Sequence, residues 1–255
     1  MNGSAVGTIV LVCTFGGALV GLWLRKVLPS HHLDSDSRDT IKVGIGLIAT
    51  MTALLLGLVT ASAKSSFDAM DTAVKQNAVQ VLTLDRLLAR YGPETNEIRR
   101  GLQHTIVARI DMIWPQDSSK PASVNPILSG GGSMGEALAD AISALKPSND
   151  TQRNLQSRAL EVCESLLQAR WMAVAGAENS IPLPFLVILL FWLTIVFVSF
   201  GLFAPRNATV VAALFVCAIS VATALFLLLE MESPFTGFIR VSPDALRHAL
   251  SSLGK

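Results

Sequence analysis

This chain is poor in charge, in aromatic residues and in cysteine, and each shortage removes a class of function. Only 15% of its 255 residues are Asp, Glu, Lys or Arg, and the formal net charge is +1. The basic residues alternate with acidic ones and form no tract, so nucleic acid is not expected as a partner. Of three cysteines, Cys13 and Cys217 lie in apolar runs and only Cys163 in a polar region, which implies no intrachain disulfide framework. His104 and His248 stand without a motif, and neither a nucleophile elbow nor a phosphate-binding glycine loop occurs. The run Gly130-Gly131-Gly132 follows no strand and reads as linker. Neither an enzyme nor a bound cofactor is expected.

Long apolar sequence is what the chain has in plenty. It is 51% hydrophobic, and its mean hydropathy is +0.51. A bilayer core of roughly 30 Å needs about 20 apolar helical residues. Four stretches reach that length, about 5–24, 41–63, 183–203 and 208–229, and an even number of spans returns both termini to one side. The first run is followed, not preceded, by its basic pair Arg25 and Lys26, so it reads as a retained span and not a cleaved signal.

The expected plan is a transmembrane hairpin over 1–63, a helical extramembrane segment over 64–180, a second hairpin over 181–232 and a short tail over 233–255. No proline occurs between Ile41 and Tyr91, so the second span should continue as one long helix until Gly92-Pro93 stops it. Helices are expected from Pro93 to about Trp114, over 133–145, and from about 150 to 177 behind Ser148-Asn149-Asp150, with Leu155, Val162, Leu166 and Ala169 on one face. The prolines at 115, 121 and 126 mark a loop between them. Helices of these lengths would form an antiparallel bundle extending the second span.

The second span carries the clue to function. Gly46, Thr50, Ala53, Gly57 and Thr60 recur at alternating steps of four and three, and Lys64 continues the line. A 3.5-residue stripe of small and hydroxyl-bearing residues on a membrane helix faces either a neighbouring backbone or water. If it faces water, Thr50 and Thr60 could solvate an ion, Lys64 would charge one mouth, and Asp39, seven residues before Gly46, the other. Glu230 ends the fourth apolar run and needs a partner at that depth, for which Lys64 is a candidate; alternatively Glu230 and Lys64 are both pore-mouth charges lining a vestibule. Span one carries Gly7, Thr14, Gly17 and Gly21, whose simplest use is to pack against span two.

The first loop holds His31, His32, Asp34, Asp36 and Asp39, a set that could hold a divalent cation but is more often a capping turn, with Asp39-Thr40 placed to cap span two. No metal is expected. The short loops are basic through Arg25, Lys26, Arg38, Lys42 and Arg206, which mildly favours their lying in the cytoplasm.

Three stretches resemble a family of bacterial four-span membrane proteins described as bestrophin-like: LPSHHLDSDSRDTIKVGIGLIATMTALLLGLVTASAKSSFD at 28–68, FWLTIVFVSFGLFAPRNATVVAALFVCA at 191–218 and LEMESPFTGFIRVS at 229–242. The resemblance implies the plan of bestrophins, pentameric anion channels whose second span lines the pore and whose helical segment lies in the cytoplasm. The chain departs from them at the neck, where bestrophins have bulky apolar side chains beside a proline and this span has glycine, alanine and threonine. The expectation is an all-α, four-span, homo-oligomeric protein of a bacterial inner membrane, conducting small ions with a slight preference for anions. Its partners would be the lipid bilayer, other copies of itself and small inorganic ions. The alternative is a non-conducting membrane scaffold or sensor whose helical segment recruits a partner.

Overall fold

The computed structural model describes residues 3–28, 35–114, 132–176, 183–205, 207–235 and 237–254. Among them the chain forms helices only: α1 (Gly3–Val27), α2 (Ser35–Tyr91), a 3-10 turn (Pro93–Thr95), α3 (Asn96–Ile113), α4 (Gly132–Ser143), α5 (Asp150–Gly176), α6 (Leu183–Phe203), α7 (Ala208–Met231) and α8 (Asp244–Ser252). Helices α1, α2, α6 and α7 are long and apolar enough to cross a membrane. The chain is an integral membrane protein, as its four spans require. It divides into two compact units, one of Met1–Ser66, Ile181–Ser233 and Gly237–Ile239, the other of Phe67–Ser180, Pro234–Thr236 and Arg240–Lys255.

In the membrane unit α1 lies against α6 and α7. A bilayer offers no hydrophobic drive between helices, so close packing of backbones must hold them together, and glycine permits it. A Cβ on Gly21 would run into the carbonyl of Val198, and one on Gly201 into the carbonyl of Ala18, so each helix opens a notch for the other. Gly17 rests on Thr194 and Val198, while Gly3 and Gly7 lie beside Phe226 of α7. The glycine face of span one is therefore taken up by α6 and α7. The expectation that it packs against span two is corrected, because the reciprocal glycine sits on α6. Arg25 donates to the carbonyl of Ala204, tying the end of α1 to the α6–α7 turn. Asn207 then caps α7 by accepting from the Val210 amide at 2.9 Å.

Helix α2 joins this unit through one seam. Val59 and Ala63 pack with Leu228 of α7, and Leu55 and Leu56 lie beside Leu225 and Leu189. The helix begins at Ser35, ahead of the expected cap. Asp39 is thus a helical residue paired with Lys42 at 3.0 Å and not the cap of span two. His31, His32 and Asp34 lie outside the described residues, as does most of the proline-bearing loop.

The second unit is a helical bundle around Val74, Val81, Leu84 and Leu88 of α2, Leu102, Ile106 and Ile110 of α3, Ile142 of α4, and Ala159 and Cys163 of α5. The stop at Gly92 is built from a positive φ of 139°, which glycine adopts without strain, and from Thr95, whose hydroxyl donates to the Leu88 carbonyl at 2.6 Å. Asn149 caps α5 by accepting from the Gln152 amide at 2.8 Å, and Gln152 reaches back to the Ser148 amide at 2.7 Å. The short tail contains α8, and Leu246 and Ala249 of that helix, with Leu253 at its end, are buried in this core. The indole of Trp114 donates to the Val241 carbonyl at 2.9 Å and stacks edge-on with Phe235 at 5.6 Å.

One ion pair lies inside the bundle. Arg99 of α3 grips Asp85 of α2 with two hydrogen bonds, at 2.7 and 3.0 Å, and the Asp85 side chain is 1% exposed. Those bonds hold the guanidinium above its ordinary pKa despite partial desolvation. The Gly254 amide lies 3.4 Å from the same carboxylate, so the end of the tail adds to its environment.

Two outcomes follow for stability. Gly201→Val should lower the stability of the membrane unit by about 1–3 kcal/mol or prevent its assembly, because the obstacle is backbone and cannot rotate away; thermal unfolding in detergent measures this. Arg99→Ala should cost about 3–5 kcal/mol by leaving Asp85 buried and unpaired, and Arg99→Lys less, since a single ammonium keeps the charge but loses the fork.

Candidate functional site

Around α2 the residues of the membrane unit sort into three faces, each roughly 80–100° wide at 100° per residue. Thr52, Val59 and Ala63 are buried and form the seam described above. Val43, Leu47, Met51, Leu54 and Leu58 make a bulky apolar face that is exposed throughout. Between the two lies the stripe of Gly46, Thr50, Ala53, Gly57, Thr60 and Lys64, every one of them exposed. A Cβ added at Gly46 or Gly57 would meet nothing within 4 Å. The small residues here therefore serve no close approach within the chain, in contrast to Gly21 and Gly201 in the same unit.

The hydroxyls on the stripe have a defined direction. Thr50 donates to the Leu47 carbonyl at 2.8 Å, and Thr60 to the Leu56 carbonyl at 2.7 Å. Each proton is thus turned back to its own helix and each oxygen lone pair is left outward. Rotation about χ1 or the C–O bond would present the proton instead, at the cost of one intrahelical bond. The line can accordingly offer either polarity of dipole.

The charges at its ends differ in setting. Asp39 is exposed and shares its charge with Lys42. Lys64 is exposed on the same line of α2 as the stripe. Glu230, half-buried at the end of α7, accepts a hydrogen bond from the Phe238 amide at 2.6 Å. That bond supplies a partner for the acid, and it comes from a loop seven residues beyond α7 that hydropathy gave no reason to select. The signal available in sequence was Gly237, whose φ of 95° lets the loop close over the carboxylate.

Elsewhere the reactive groups are quiet. Burial pushes the Cys163 thiol above its ordinary pKa, with neighbouring Glu164 adding to the effect, so it is kept as a thiol and is a poor nucleophile. Burial likewise raises the Tyr91 phenol, helped by Glu94. Among the described residues no group of three or more His, Cys, Asp or Glu side chains could hold a metal ion.

With this geometry in place, comparison with known proteins is informative at the level of family. No curated protein matches the sequence. A family model described as a Bestrophin-like domain matches residues 12–246, which takes in the greater part of the first span, the other three spans, the intervening helices and the start of α8. The chain belongs to the bestrophin-like family.

Proposed function

We propose that the protein is a homo-oligomeric ion channel of a bacterial inner membrane, in which copies of α2 surround a pathway lined by Gly46, Thr50, Ala53, Gly57 and Thr60. The observation that carries this is the contrast between glycines. Gly17 and Gly21 of α1 and Gly201 of α6 meet the backbone of the facing helix, whereas Gly46 and Gly57 on the stripe of α2, like Gly16 of α1, have no described neighbour within 4 Å. A glycine on a lipid-facing surface would forfeit apolar contact, and the bulky face of α2 already serves that purpose. Membership of a family named for anion channels agrees with the same reading.

Conduction is favoured over catalysis because the stripe supplies weak, repeated dipoles and no nucleophile or general base. Selectivity would be set at the mouths. The pairing of Asp39 with Lys42 reduces the acidic potential at one end, which agrees with a slight preference for anions. The competing scaffold would bury the same stripe in dry contacts between copies. It differs in one measurable respect, since cysteines placed at 50, 57 and 60 would then be shielded from hydrophilic thiol reagents.

The test is flux through the purified protein in liposomes under chloride and potassium gradients. Gly57→Leu should abolish flux while leaving oligomer size unchanged, because the added side chain enters space that the fold of one chain leaves open. Flux that survives this change removes α2 from the pathway. Lys64→Glu should lower the anion/cation permeability ratio several-fold; an unchanged ratio takes Lys64 away from the mouth.

A further inference from the structure

Phe238 is 87% exposed, the highest value among the large hydrophobic residues described, yet its loop is held firmly. Its amide donates to Glu230 at 2.6 Å, and its ring meets that of Phe226 edge-on, with centroids 6.2 Å apart and planes at 67°. Gly237 sits so close to the Glu230 carboxylate that a Cβ would collide with it, and its φ of 95° excludes most other residues. Gly3 of α1 leaves room on the other side of the same carboxylate. Residues Gly237–Ile239 belong to the membrane unit.

The depth of this ring follows from its partner. Phe226 lies five residues before Met231, the end of α7, which is about 7–8 Å along the helix axis. Aromatic side chains on a helix lean toward its N-terminus, so the Phe226 ring lies deeper still. The Phe238 ring, edge-on to it with centroids 6.2 Å apart, therefore stays close to the end of the span. An exposed phenyl group at that depth meets the boundary of headgroups and acyl chains.

We propose that the loop Gly237–Ile239 is an interfacial membrane anchor, in which the Glu230 carboxylate acts as the clasp and Phe238 inserts between lipids at the end of α7. The arrangement also accounts for an acid at the end of an apolar run. The carboxylate receives a backbone N–H that would otherwise enter the interface unpaired, so each group offsets the desolvation of the other. The occupant of the Phe238 surface is lipid, and a second copy of the chain is the rival that the experiment must separate.

The experiment places the photoreactive analogue p-benzoylphenylalanine at 238 in the full chain, reconstituted in vesicles of mixed phosphatidylethanolamine and phosphatidylglycerol. The exposed position tolerates the larger ring. Irradiation should give a chain carrying the mass of one phospholipid, and this product supports the anchor. A covalent dimer in its place, or no adduct at all, overturns it by showing that the ring faces protein or water. Glu230→Ala in the same chain should reduce the lipid adduct roughly tenfold, the loss expected from one hydrogen bond to a charged acceptor. Glu230→Gln, which keeps an acceptor, should restore most of it. A yield indifferent to Glu230 overturns the clasp. Neither readout depends on flux, so failure here and failure of the channel are distinguishable.

Discussion

Backbone contact between α1 and α6 is the constraint from which the membrane unit follows. Gly21 and Gly201 meet carbonyls on the opposite helix, a geometry that no larger residue allows. Since lipid competes equally well for apolar side chains, helices that can approach this closely gain dispersion and weak Cα–H contacts that others do not. With α7 added against Gly3 and Gly7, three of the four spans satisfy one another. The fourth, α2, contributes a single seam and keeps two faces uncovered. Its availability for contacts with other copies is thus a consequence of how well the other three pair.

The helical unit is organised by a different kind of interaction. Between α2 and α3 its core is largely aliphatic and would tolerate sliding, but the Asp85–Arg99 pair fixes their register. A buried ion pair gives little net stability, because desolvation offsets most of the Coulomb gain. What it provides is discrimination, since any slip leaves two charges unpaired in a low-dielectric interior. The tail adds to this fixing through Gly254 at Asp85 and Val241 at Trp114.

Much of this architecture was legible in the sequence because it depends on local signals. Span lengths follow from hydropathy, the stop of α2 from Gly92-Pro93, and the start of α5 from Ser148-Asn149-Asp150 with Gln152 in reach. Less legible was which glycines would be filled. Gly17 and Gly57 look alike in sequence, and only the presence of Thr194 and Val198 of α6 beside the first decides that it is packed and the second open. Helix α8 within the tail is faint in the sequence although Ser242-Pro243-Asp244 and the spacing of Leu246, Ala249, Leu250 and Leu253 agree with it, because nine residues are too few to stand out without the core they enter. Glu230 reads in the sequence as an acid in need of a partner. One partner is a backbone amide, a group that every residue carries and that no pattern of side chains marks.

The continuity of α2 bears on how an ion could be stabilised along it. From Ser35 to Tyr91 the helix has no break, so no helix terminus lies within the membrane. Channels and transporters with interrupted helices can offer free amides or carbonyls at mid-depth, but an unbroken helix uses every such group internally. In the proposed pathway the polar groups that the described part of α2 offers at depth are therefore the hydroxyls of Thr50 and Thr60, two from each copy. Each is shared with its own carbonyl, so a passing ion competes with an existing bond and is held weakly. Weak sites separated by glycine and alanine favour passage over retention. Oligomerisation would then be a chemical requirement as well as a geometric one, because one copy cannot replace a hydration shell that a ring of hydroxyls can.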